Sequence, residues 1–288
     1  MSWVADSRAP ILRQGRDSAR LAARRGVTLV QVAKPRIVAL FALTVLAASL
    51  LAGPVGPALT VAIVASAALT VGGAAALNNY LERGLDARMA RTRRRPTATG
   101  TLPPRAALAF GLVATAAGVV AVAACGGLLA ASCAAAGALY YVVVYTMLIK
   151  PRTAFSALPG GLAGVFPALI GWTASGGGLT GRIVFLCVLI AVWSPPHFWA
   201  LAYALQDEYL ASGVPTPPVV LGETAAARMI LAAAAALVAL PAGGAFVAIA
   251  VALAWRRRRA AAWLLYKVSG PYLAALVAAM VIDKLAGR

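Results

Sequence analysis

Long apolar runs separated by short polar breaks organise this chain from end to end. The runs cover residues 36–53, 57–80, 105–124, 127–148, 155–172, 183–205, 225–240, 243–255 and 261–283. Most approach the roughly 20 apolar residues that carry an α-helix across the hydrocarbon core of a bilayer. Breaks fall at Gly53-Pro54-Val55-Gly56, at Cys125-Gly126-Gly127, between Gly171 and Gly181, and at Pro241-Ala242-Gly243-Gly244. Glycine and proline clusters of this kind mark turns. The pattern predicts an all-α, polytopic membrane bundle of about nine transmembrane helices. A single long kinked helix over 225–255 is the competing reading of the seventh and eighth runs. A cytoplasmic tail, residues 1–33, with an interfacial amphipathic helix around Leu21–Val32, is expected to precede one transmembrane domain over 34–288.

Composition strengthens this reading. Apolar residues make up 62% of the 288 and charged residues 12%, against roughly half and a quarter in soluble domains. A net charge of +18 could point to nucleic acid, but the basic residues sit in short gaps between apolar runs, as topology signals do. No nucleic-acid partner is expected. With the N-terminus cytoplasmic, the cytoplasmic segments are 1–35, 81–104, 149–154, 206–224 and 256–260. Only Arg182, Lys284 and Arg288 of the 26 Lys and Arg then lie on the far side. That asymmetry fits a multi-pass protein of the plasma (inner) membrane. Eight spans would turn Arg256–Arg259 outward, so charge favours nine. Cys125, Cys133 and Cys187 lie in apolar stretches without metal-site or disulfide spacing and are expected to pack as small apolar residues. Residues 1–33 carry Arg8, Arg13, Arg16, Arg20, Arg24 and Arg25 but no short apolar core before a cleavage site, so a retained tail is expected rather than a signal peptide.

The eight acidic residues carry the chemistry. Glu82 and Asp86 follow the second run; Asp207, Glu208 and Glu223 follow the sixth. Carboxylates at a membrane boundary are costly unless paired, solvated or bound to a cation. Asn78, Glu82 and Asp86 are spaced i, i+4, i+8, which places them on one face of a helix continuing past the second run. Asp207 and Glu208 close the sixth run. Oxygen-only donors at this density suit Mg²⁺. Arg91, Arg94, Arg95, Lys150 and Arg152 share the same level, and cations beside metal-binding carboxylates suit a diphosphate-bearing substrate. The plainer reading of the same set is solvated loop charges forming surface ion pairs. It weakens because two acidic clusters recur at corresponding ends of two spans.

The stretch Asn78-Asn79-Tyr80-Leu81-Glu82-Arg83-Gly84-Leu85-Asp86-Ala87-Arg88-Met89-Ala90-Arg91-Thr92-Arg93-Arg94-Arg95-Pro96 resembles the first aspartate-rich motif of the UbiA-type intramembrane prenyltransferases. Within that family it is most similar to the heme-farnesylating branch, whose pattern runs NNxxDxxxDxxMxRTxxRP. The likeness continues through Lys34-Pro35-Arg36 and Tyr145-Thr146, then Lys150, Arg152, Thr153, Gly160-Gly161, Pro167 and Gly171-Trp172. Further along it includes Pro196-His197-Phe198-Trp199-Ala200-Leu201-Ala202, Gly213-Val214-Pro215, Pro218-Val219-Val220, Ser269, Tyr272-Leu273, Met280 and Asp283. Departures cluster at the site. Glu82 stands in place of Asp, Ser156 in place of Asn, and Gln206-Asp207-Glu208-Tyr209 in place of Lys-Asp-Asp-Tyr; Ala168 and Pro217 also differ.

The resemblance implies transfer of a farnesyl group from farnesyl diphosphate to a vinyl group of heme B, with Mg²⁺ as cofactor and heme as substrate. It implies a metal set of Asn78, Glu82, Asp86, Asp207 and Glu208, with Glu82, Asp86 and Asp207 catalytic. Diphosphate would be held by Asn78, Arg91, Arg95, Lys150 and Arg152. His197, the only histidine, and Trp199 would line the acceptor pocket, although a lone histidine in a span is often a packed, hydrogen-bonded residue. Membrane lipid and a downstream heme-modifying or oxidase-assembly protein are the further partners implied. Two alternatives stay open: a diverged prenyltransferase or cyclase using another acceptor, motivated by the substitutions at the site, and a non-enzymatic heme-handling membrane protein.

Overall fold

The computed structural model describes residues 26–237 and 243–287. Residues 1–25, most of the expected tail, lie outside the described residues, as do 238–242, at the end of the seventh apolar run. Residues 26–32 are helical. They are followed by α1 Pro35–Ala52, α2 Pro57–Asp86, α3 Pro96–Thr99 and α4 Pro104–Leu139, which runs on into a π-helix over Tyr140–Ile149. Then come α5 Ala157–Ala163, α6 Val165–Ala174, α7 Gly181–Ala204, α8 Gln206–Ser212, α9 Pro217–Ala235, α10 Gly243–Arg256 and α11 Arg259–Leu285. Every regular element among the described residues is helical.

Local chemistry explains five of the helix starts. Proline sits in the first turn of α1, α2, α3, α4 and α9, where its missing N–H has no helical partner to lose and its ring presets φ. This is why α9 begins at Pro217, eight residues ahead of the apolar run expected from 225; Gly222, at φ 79°, interrupts it.

Among the described residues, seven helical stretches are long and apolar enough to cross a membrane, and the chain is a multi-pass membrane protein. The longest, Pro104–Ile149, has 46 residues, about 69 Å at 1.5 Å per residue and more than twice the hydrocarbon thickness. Both of its ends lie at the same end of the bundle. Leu102 and Ala107 pack with Val32 and Ala76, and Thr146 bonds Asn78, just beyond Ala76 on α2. The chain therefore doubles back within the stretch, at Gly127 (φ 80°, ψ 176°), a conformation open to glycine at little cost. α10, at 14 residues, is shorter than any of these seven stretches. Length and apolarity alone thus yield seven stretches where the sequence pattern suggests about nine; the Gly127 reversal and the short α10 account for the difference.

The spans pack through small residues. A side chain at Gly73 would fall on Thr115, and one at Gly118 on Thr70; contact this close lets the α2 and α4 backbones approach as membrane helices do. α2 is thereby held firmly, and α2 carries the first acidic segment. Inside, Tyr203, Ile230, Leu253 and Leu265 form one core cluster; Val45, Ile63, Val122 and Ile170 form a second. Large apolar side chains such as Leu40, Val61, Val113 and Val120 point outward instead, the surface a lipid environment requires.

Candidate active site

α2 runs without a break from Pro57 to Asp86, so Asn78, Glu82 and Asp86 do share one helix face, as their spacing predicts. Asn78 and Asp86 are buried, at 2% and 3% exposure. Each of the three oxygen-bearing side chains is held by a cation from a different part of the chain. The Lys34 ammonium donates to Asn78 Oδ1 at 2.5 Å. Lys150 pairs with Glu82. Arg95 Nη1 bonds both Asp86 oxygens, at 2.9 and 2.8 Å. Asn78 Nδ2 donates to Thr146 Oγ1 at 3.0 Å.

The cations feel this crowding. Desolvation, helped by the nearby Arg95 guanidinium, pulls the Lys34 ammonium down to about 7. Burial also works against the Lys150 ammonium, but the Glu82 carboxylate outweighs it and holds its pKa above the usual lysine value. Breaking a buried pair by removing one partner leaves an uncompensated charge, so these pairs depend on one another.

The π-helix supplies the facing wall. Lys150 N–H reaches the carbonyl of Tyr145, five residues back, and Thr146 Oγ1 that of Tyr141. Such wide turns are rare and recur at functional sites. Here they bring Thr146 and Lys150 onto the face opposite α2. Between the walls lies a cavity of about 360 Å³ lined by Glu82, Arg88, Thr146, Lys150 and the Ser212–Pro215 turn. That turn follows α8, so the end of the helix that carries Asp207 and Glu208 borders the same cavity.

The second segment is arranged differently. Glu208 Oε2 accepts from the backbone N–H of Arg91 at 3.2 Å, tying α8 to the loop after α2. Asp207 is exposed and pairs with Arg259 at the start of α11, Nη2 to Oδ1 at 2.6 Å. The hydrogen bond from Arg259 holds its carboxyl below the usual aspartate range. Gln206 donates to the carbonyl of Pro218 at 3.2 Å.

The residues expected at the site are thus distributed in three ways. Asn78, Glu82, Asp86, Arg95 and Lys150 come together. Arg91 enters through its backbone, with its side chain exposed. Arg152 folds back onto the carbonyls of Met147 and Leu148 at 3.0 and 2.6 Å, ending the π-helix rather than facing the carboxylates. Among the described residues no three His, Cys, Asp or Glu side chains gather closely enough to hold a metal ion. The donors on the α2 face are nevertheless oxygens, each paired with a side-chain cation, a set that fits a hard divalent ion in kind.

His197 lies on α7 among aromatic rings. Its centroid is 4.4 Å from Trp193, 4.6 Å from Tyr266 and 5.3 Å from Phe198. Its Nδ1 meets Ser269 Oγ at 2.5 Å, while Trp193 Nε1 donates to the Ser269 carbonyl at 2.8 Å. Trp199 turns away into the core beside Tyr203 and Ile230, and its indole nitrogen finds no partner among the described residues.

Sequence reasoning overlooked Lys34, Arg88 and Arg259 as site residues, and Tyr266 as a ring against His197. Lys34 carried one signal, its place directly before the proline that opens a span; that it reaches Asn78 is shown by the structure, which holds it at φ 55°.

The chain is similar to known proteins in both sequence and fold. The chain is 38% identical over 255 residues to protoheme IX farnesyltransferase 1 of Pseudomonas fluorescens, covering 85% of each chain. It is 39% identical over 272 residues to the protoheme IX farnesyltransferase of Thermus thermophilus, covering 87% of this chain and 45% of that one. The chain therefore spans about half the length of the Thermus relative. A UbiA homolog from Aeropyrum pernix K1 shares the fold at a TM-score of 0.67 and 20% identity, over 85% of this chain and 97% of that one. Another, from Archaeoglobus fulgidus with GPP and Mg²⁺ bound, shares it at 0.63 and 14%, over 88% and 99%. The model of the UbiA prenyltransferase family matches residues 39–282, and the chain belongs to that family.

Proposed function

We infer that this chain transfers a farnesyl group from farnesyl diphosphate to a vinyl group of heme B, giving heme O. The observation that carries the reading is the α2 face, where Asn78, Glu82 and Asp86 each meet a cation beside a cavity at the basic end of the bundle. The names of the 35–41% identical relatives supply the donor and the acceptor. The basic end is assigned to the cytoplasm, with the protein in the plasma membrane, because the positive-inside asymmetry runs that way.

Asn78, Glu82, Asp86, Asp207 and Glu208 would hold Mg²⁺, which neutralises diphosphate charge and eases its departure. Lys150, Arg95 and Lys34 are placed to exchange their protein oxygens for diphosphate oxygens when substrate enters. Arg88 lines the same cavity and adds a further cation. The C–O bond of farnesyl diphosphate breaks, its electron pair leaving with the diphosphate. The allylic cation left behind is shielded from bulk water by the apolar walls. Attack by the vinyl carbon forms the new C–C bond, and water adds to the adjacent carbon with loss of a proton. His197, clamped by Ser269 and flanked by Trp193 and Tyr266, would present a flat aromatic wall to the porphyrin.

The test is mass spectrometry of pigments after incubating purified protein with heme B, farnesyl diphosphate and Mg²⁺. A heme gaining a hydroxyethylfarnesyl group, and losing that gain when Mg²⁺ is omitted, is the expected result. No modified heme from folded protein that binds farnesyl diphosphate would overturn it and direct attention to another acceptor.

A further inference from the structure

α11 begins at the basic end of the bundle with Arg259, and its inward face is Ala262, Leu265, Ser269 and Tyr272. The opposite face, Ala260, Trp263, Leu264 and Lys267, lines an open groove of about 500 Å³. Lys267 is exposed although it lies eight residues into the span, about 12 Å along the axis from Arg259. A lysine at that depth on the outer face is costly unless its stem reaches back to the interface. Its ammonium does turn that way, lying 6.0 Å from the ring of Trp263, one turn nearer the basic end.

A run of four arginines, Arg256–Arg259, directly precedes Ala260, the first residue lining the groove, and the four have separate duties. Arg259 pairs with Asp207, and Arg257 donates to Thr224 Oγ1 at 2.9 Å. Arg256 and Arg258 are exposed and, among the described residues, have no side-chain partner. Trp255 beside them is 86% exposed, as expected of an aromatic at a membrane interface. Two exposed guanidiniums without side-chain partners thus precede the groove in the chain, and the one ammonium within it turns toward the same end of the bundle.

We propose that this groove binds one anionic phospholipid, its phosphate between Lys267 and the Arg256 and Arg258 guanidiniums and an acyl chain along Trp263 and Leu264. The charge is complementary, and a zwitterionic headgroup would gain much less. The site lies on the outer face of α11, apart from the α2 cavity, and is independent of the reaction proposed above.

Native mass spectrometry of the full chain, released from micelles containing phosphatidylglycerol or phosphatidylcholine, tests this. Wild type should keep phosphatidylglycerol preferentially. In the triple variant R256Q/R258Q/K267M the affinity for it should fall about a hundredfold, from about fivefold per basic charge near an anionic surface. K267R should retain binding. The double variant R256Q/R258Q, altered only at exposed turn positions, should show an intermediate loss and guards against misfolding of the triple. Equal retention of the two lipids by wild type, or an unchanged preference in the triple variant, would overturn the site. Displacement of the lipid by millimolar inorganic phosphate or by hemin would overturn the lipid assignment in favour of a free anion or of the acceptor. Prenyl transfer measured in phosphatidylcholine should be the same for wild type and variants, so a failure here is distinguishable from a failure of the reaction.

Discussion

The two acidic segments meet at one end of the bundle but live in different environments. On α2, Asp86 is 3% exposed and gripped by Arg95 through both oxygens. On α8, Asp207 is exposed and pairs with an exposed Arg259. A charge pair in a dry setting is preorganised but intolerant of losing one member, whereas an exposed pair is screened and readily exchanged. The first segment therefore reads as the fixed half of the site and the second as the half that adjusts, tethered through Glu208 to the loop it faces.

The largest effect should come from the fixed half. Asp86→Ala is expected to abolish heme O formation, by at least about 10³-fold, and to destabilise the fold by about 3–5 kcal/mol through the stranded Arg95. Assays of pigment and thermal unfolding check both; full activity would remove Asp86 from the site. Asp207→Asn should lower turnover by about 10²-fold while leaving the melting temperature unchanged. If it destabilises as much as the Asp86 change, the contrast between the segments is wrong.

Lys150→Met sharpens the same point from the cation side. It should weaken farnesyl diphosphate binding by about 10²-fold, read as a rise in KM, because it removes a diphosphate partner and leaves Glu82 unbalanced. His197→Phe keeps a ring against Trp193 and Tyr266 but loses the bond to Ser269. It should raise the KM for heme about tenfold, near the worth of one hydrogen bond in a closed pocket, with that for farnesyl diphosphate unchanged. The smallest change is expected for Arg259→Gln, under about fivefold at saturating Mg²⁺, with half-saturation reached at lower Mg²⁺ because Asp207 has been released.

Much of this was legible in residue order. Apolar runs of span length predict an all-helical membrane bundle, and the i, i+4, i+8 spacing puts Asn78, Glu82 and Asp86 on one face, because helical periodicity is local and needs no knowledge of the rest of the fold. Family motifs marked His197 and the Gly213-Val214-Pro215 turn that closes the cavity.

What only the tertiary structure decided is who holds whom. Lys34 meets Asn78 across 44 residues, Lys150 meets Glu82 across 68, Arg259 meets Asp207 across 52, and Ser269 meets His197 across 72. Partners so distant in the chain are set by how α1 and α4 pack on α2 and how α7 packs on α11, and that packing turns on details such as the close contact at Gly73, the reversal at Gly127 and the π-helix that swings Lys150 into place. A periodic pattern specifies which side of a helix is polar. Which cation reaches that side depends on the distance between helices, and that distance is a property of the assembled bundle alone.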